Sequence, residues 1–212
     1  MPEKWRRLVE VCAAGGGLCL FALFVHQGMP LILLSGAGMI AAAIAVYVVF
    51  RDEASPAAML GLSPFSRKAA AYVVFGCALG MSLAIVYRLH VGWAIIPAGL
   101  SCFAAAAAAI GATEELIYRG FMQGRLLPFG PLPAVILAAL LHTGYKCCLF
   151  AMAPFTLETS FTTLAAATLL GGLAFGATRA FSSSLIPAIA AHGCFDIIVY
   201  GELGQAPPWI WS

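Results

Sequence analysis

Of the 212 residues, 62% are hydrophobic and 9% are charged, against a charged share of about 25% in soluble domains. A net charge of +2 offers no footing for nucleic acid or an acidic partner. Apolar runs of about 20 residues cross a bilayer core as helices, and unpaired backbone groups are not tolerated there. The chain is therefore expected to be an all-α, polytopic membrane helix bundle of about seven to eight transmembrane helices, with the lipid bilayer as its surroundings. A barrel would show short alternating segments instead.

In chain order, the first expected span is Leu8 to Val25, preceded by Lys4, Arg6 and Arg7. It reads as a retained anchor, because six more apolar runs follow and no cleavage site ends it. Leu31 to Phe50 is the second. A polar stretch from Arg51 to Lys68, holding Pro56, Gly61 and Pro64, separates it from Ala69 to Tyr87. The remaining spans are Trp93 to Ala112, Leu132 to Ala153, Phe161 to Thr178 and Leu185 to Tyr200. The segment Gly120 to Pro133 has room for an eighth, short or re-entrant helix. With the N-terminus in the cytoplasm, the inner side receives Lys4, Arg6, Arg7, Arg51, Arg67, Lys68, Arg119, Arg125 and Arg179, and only Arg88 falls in an outer loop. Trp209 and Trp211 then lie at the outer interface, where tryptophan is favoured.

No internal repeat is visible, which speaks against an inverted-repeat transporter. The pairs Gly76/Gly80 and Gly172/Gly176 predict close helix contacts. The seven cysteines form no CxxC pair and no Cys/His zinc spacing, and read as small packing residues.

Charges inside a bilayer are costly, from about 3 kcal/mol each, so the intramembrane ionisable residues carry the information. Glu114, Glu115 and Arg119 stand at the end of the fourth expected span. Glu115 and Arg119 are four apart and share a helix face. One arginine for two adjacent carboxylates leaves one of them uncompensated and suited to act as a general base; the alternative is a helix-end charge cluster that snorkels to water. His142 lies about 15 Å into the fifth span, with Lys146 one turn further on the same face and without an assigned role. His192 and Asp196 form another pair four apart in the last span, where an aspartate can orient an imidazole. Such a set can deprotonate water and stabilise an oxyanion, as amide hydrolysis requires. It could equally ligate zinc, although HExxH is absent. Neither histidine has a serine elbow nearby, and Cys194 points to a different helix face from His192.

At these residues the chain resembles the CPBP family, the CAAX prenyl endopeptidases and bacteriocin-processing enzymes of the ABI type. The family's EExxxR motif reads Glu114-Glu115-Leu116-Ile117-Tyr118-Arg119, followed by Gly120 and Phe121. FxxxH is matched at His142, with Ala138 where phenylalanine is usual. Gly171, Gly172, Gly176, Arg179 and the segment 182–187 resemble the Gly-rich third region. HxxxN or HxxxD is matched by His192 and Asp196.

The resemblance covers Gly111 to Tyr200 and implies a single integral membrane domain over 1-212, with 1-90 as accessory helices and 91-203 as the catalytic core. It implies an intramembrane endopeptidase of glutamate type acting on a polypeptide substrate, without a cofactor. Glu114 with His142 would activate the water, His192 with Asp196 would form the oxyanion hole, and Glu115 and Arg119 would brace the site. Asp196 in place of asparagine donates to an oxyanion only when protonated; otherwise it orients His192. The commoner asparagine favours the protonated donor. The competing expectations are a zinc-dependent protease using the same residues, and a non-catalytic membrane chaperone or immunity protein with relict motifs. The small size and lack of targeting features point to a bacterial inner membrane. Candidate substrates are prenylated C-terminal peptides, leader peptides and C-terminal sorting tails.

Overall fold

The computed structural model describes residues 1–25, 40–41, 43–45, 47–48, 51, 53–64, 66–151 and 160–203. Most of the expected second span, Leu31 to Phe50, and the Trp209/Trp211 end lie outside the described residues. Among the described residues every regular element is helical.

The first helix, α1, spans Glu3–Val25. A short α2, Pro56–Leu60, starts on a proline and ends on Gly61 at φ 77°, a left-handed position that glycine takes without penalty. Helix α3 runs Arg67–His90, its N-terminus capped by Ser66, whose side chain accepts from the Ala69 N–H. Helix α4 is Cys102–Glu115, capped in the same way by Ser101. It continues without a break through a π-helical segment, Leu116–Met122, into α5, Gln123–Leu126. A 3₁₀ turn, Leu127–Phe129, and Gly130 at φ 103° then reverse the chain. Helix α6 is Pro131–Ala151, α7 is Phe161–Ser182 and α8 is Ile186–Tyr200.

Four of these helices, α1, α3, α6 and α7, are long and apolar enough to cross a membrane, and α8 is a shorter apolar helix. The chain is an all-α membrane helix bundle.

The fourth span departs from the expected one. Residues 93–101 form turns and bends around Pro97, and the helix starts only at Cys102. It then runs past the expected end at Ala112 and carries both glutamates in its interior. The helical run continues from Glu114 through Leu126, so the pair lies within it and not at its end. The alanine run and absence of proline from 102 to 126 favour one continuous helix. The expected extra helix within 120–133 is the end of this same element.

Both small-residue pairs sit at close contacts. A Cβ on Gly76 would stand 2.5 Å from the Pro187 carbonyl oxygen, and one on Gly80 would stand 1.9 Å from that of Ala191. Helix α3 thus lies against the backbone of α8 immediately beside His192.

Charged residues collect at the two ends. At one end Arg125, wholly buried, pairs with Glu10 of α1 and with Glu53 at 2.8 Å. Arg7 reaches the same Glu53 oxygen at 2.8 Å. Nearby, Arg179 donates to the Met59 carbonyl at 2.7 Å, and the Leu185 N–H donates to the Gly61 carbonyl at 2.8 Å. At the other end the buried Arg88 caps α8 through the carbonyls of Ile198 and Val199 at 3.1 and 3.2 Å and pairs with Glu202 at 2.7 Å. The Ala98 N–H also donates to Glu202. That backbone bond, with Arg88 second, holds the Glu202 carboxyl below its ordinary value.

Candidate active site

The three motif-bearing segments converge. Glu114 and Glu115 come from α4, Arg119 from the π-helical segment, His142 from α6, and His192 and Asp196 from α8. All six are buried. Glu114 Oε2 lies 3.2 Å from His142 Nε2 and 3.9 Å from His192 Nε2, so one carboxylate oxygen stands between two imidazole nitrogens. Glu115 Oε1 pairs with Arg119 Nη1 at 3.0 Å and accepts from His192 Nδ1 at 2.8 Å. Arg119 Nη1 also donates to His142 Nδ1 at 3.1 Å. Asp196 Oδ2 lies 3.8 Å from His192 Nε2, too far for a direct hydrogen bond.

These contacts assign protons. A guanidinium has no acceptor, so His142 Nδ1 presents a lone pair to Arg119. The proton of the neutral ring is then on Nε2, facing Glu114. The Glu115 carboxylate accepts from Arg119 and from His192, so His192 Nδ1 carries a proton and its Nε2 is turned towards Glu114 and Asp196.

The α-to-π change begins directly after the two glutamates. Single-turn π segments occur often at functional sites. Here Arg179 Nε donates to the carbonyl of Arg119, inside that segment, at 2.9 Å. The arginine that clasps the α2 loop therefore also supports the backbone beneath the brace. One turn on, Gln123 Nε2 donates to the Gly176 carbonyl at 3.0 Å. The Gly172/Gly176 pair lets α7 approach these polar side chains: a Cβ on Gly172 would stand 3.2 Å from Arg119 Nη2. Gly111 makes room in the same way for α8, because a Cβ there would stand 2.3 Å from Asp196 Oδ2.

The glutamate that a count of nearby motif charges leaves uncompensated has a partner. Lys146 Nζ lies 2.5 Å from Glu114 Oε1. The spacing of His142 and Lys146, four apart on α6, was the available signal for this contact.

Tyr118 was a second missed residue. Its ring stacks on His142 with centroids 4.3 Å apart and planes at 27°. Ala138, standing where the motif has phenylalanine, is buried in a cluster with Tyr118, Met122 and Val11, so the neighbouring helix fills the space beside the histidine.

A cavity of about 200 Å³ reaches Glu114 from between α1, α4 and α6, walled by Leu18, Ile110, Thr113, Ile117 and Tyr145. Among the described residues no group of three or more His, Cys, Asp or Glu side chains is placed to share a metal ion. A divalent cation at Glu114 would also meet the Lys146 ammonium.

Residues 96–198 match the family model described as Rce1-like, type II CAAX prenyl endopeptidase Rce1-like. No curated protein and no solved structure matches the chain.

Proposed function

We propose, from the match of residues 96–198 to the CAAX prenyl endopeptidase family model, that the chain is an intramembrane endopeptidase whose attacking water is activated by Glu114. The observation that carries this reading is the position of Glu114 Oε2 between the Nε2 atoms of His142 and His192; Glu114 also lines a cavity among apolar helices.

Charge balance supports the assignment of roles. Three carboxylates face three cations: Glu114 with Lys146, Glu115 with Arg119, and Asp196 with an imidazolium at His192. His142 stays neutral. Buried charges persist when they are compensated in this way. Asp196 then acts as an ionised counter-charge to His192, in place of the protonated donor that the motif's usual asparagine suggests.

Water bound at Glu114 Oε2 gives up a proton to that oxygen. Its oxygen adds to the carbonyl carbon of the scissile peptide bond, and the carbonyl oxygen becomes an oxyanion. The N–H at His192 Nε2 donates to the oxyanion. As the C–N bond breaks, the proton held by Glu114 passes to the leaving nitrogen, and the carboxylate is restored. His142, locked by Arg119 and stacked by Tyr118, orients Glu114 through its Nε2–H.

No step requires a cofactor. Activity that survives chelation separates this mechanism from the zinc-dependent alternative. The gathering of Arg7, Arg125 and Arg179 at one end supports a cytoplasmic N-terminus.

The test uses purified protein in liposomes with three peptide probes: a farnesylated C-terminal peptide, an apolar leader peptide and a C-terminal sorting tail. Mass spectrometry reads cleavage. The parent is expected to cut at least one probe. Glu114→Gln, folded and inserted, is expected to lose at least about 100-fold in rate, the scale of positioned general-base catalysis. Parental turnover by Glu114→Gln would remove the assignment.

A further inference from the structure

The arginine and the lysine beside the glutamates have different employment. Arg119 is committed to Glu115 and to His142 Nδ1. Of the two, it is Lys146 that is bonded to Glu114, at Oε1. Its placement follows from α6: residues four apart lie about one turn along one face, so the helix that delivers the His142 ring to Oε2 delivers the ammonium to Oε1. Glu114 is therefore held from a single helix by both oxygens. The lysine stem is largely covered, with the side chain about a quarter exposed.

We propose that Lys146 is a positioning residue for hydrolysis, its ammonium holding Glu114 by Oε1 so that Oε2 is the oxygen that meets the water. This rests on the reading of Glu114 as the general base. A carboxylate attached by a flexible side chain presents either oxygen. Fixing one by a charge-assisted bond removes that freedom and keeps the other between His142 and His192. The same contact compensates a carboxylate in an apolar bundle, where an isolated charge is not stable.

The consequence is kinetic. Lys146 acts on the step that Glu114 carries out and not on the capture of the peptide. On whichever of the three probes the parent cleaves, Lys146→Met is expected to lower kcat at least tenfold with KM within twofold. Lys146→Arg, or ethylammonium added to Lys146→Ala, is expected to recover at least a third of the parental kcat. A Lys146→Met protein with parental kcat would overturn the proposal. So would a rise in KM at unchanged kcat, which would assign the lysine to substrate binding, or a kcat loss that neither cation repairs. Glu114→Gln assayed alongside separates the two readings. An active Glu114→Gln protein removes the base itself, whereas an inactive one beside an unaffected Lys146→Met removes only the lysine's part.

Discussion

Arg119 donates to Nδ1 of His142 across 3.1 Å, and that single contact decides which ring nitrogen carries the proton. Because the guanidinium cannot accept, His142 must offer a lone pair there, and its Nε2–H is turned to Glu114. In the proposed mechanism His142 is therefore an orienting donor, and proton abstraction from water falls to the carboxylate.

Arg119→Lys keeps the charge but puts its one nitrogen on a differently shaped stem, away from the place of Nη1, the atom that contacts both Glu115 and His142. It is expected to lower kcat at least tenfold and to lower the thermal midpoint. Glu115→Gln, which leaves Arg119 buried without its partner, is expected to cost about 3 kcal/mol or more of stability. Thermal unfolding in detergent beside the cleavage assay reads both effects, and parental stability in Glu115→Gln would contradict the bracing role.

Asp196→Asn distinguishes the counter-charge from the protonated donor. If Asp196 balances an imidazolium at His192, the amide removes the charge and kcat falls at every pH tested. A pH–rate profile beside the parent is the measurement. Retained activity with a shallower loss at high pH would instead favour the neutral donor suggested by the motif's commoner asparagine.

Gly80→Ala tests the seat of α8. Its Cβ would meet the Ala191 carbonyl oxygen at 1.9 Å, and backbone cannot give way as a flexible side chain can. A loss of about 2 kcal/mol is expected, within the range for overpacking, along with lower activity because the adjacent His192 is displaced. Gly17→Ala, where no atom lies within 4 Å of the added carbon, is the control and should change neither. Equal effects from the two substitutions would count against this contact.

Glu202 lies beyond the end of α8, and the Ala98 N–H and Arg88 depress its titration below the ordinary 4.5. A depressed carboxyl contributes stability that is fully present above the unfolded value and is lost as pH falls through the folded one. Glu202→Gln should therefore flatten the dependence of thermal stability on pH below about 4.5 while leaving the neutral-pH activity unchanged. An unaltered acid slope would show that the carboxylate makes no such contribution.

The membrane class, most helix positions and the identity of the polar residues were legible in the chain itself, because the bilayer makes apolar run length and stray charge unusually direct signals. Glu114, Glu115, Arg119, His142, His192 and Asp196 stood out as costly residues in costly places. The true course of the fourth span did not. Apolarity at Trp93 to Leu100 resembles that of a span, and only Pro97, Ser101 and the packing of α8 decide that the helix starts at Cys102 and carries the glutamates within a longer helical run. Partnership was equally hidden. Spacing on one helix pairs Glu115 with Arg119, but the contact of Lys146 with Glu114 joins residues 32 apart in sequence and exists only because α6 packs against the π-helical segment that continues α4. The proton on His142 depends on another such crossing. A residue's cost in a membrane is local and can be read from its neighbours in sequence. The charge that offsets it comes from another helix, and only the tertiary fold determines which one.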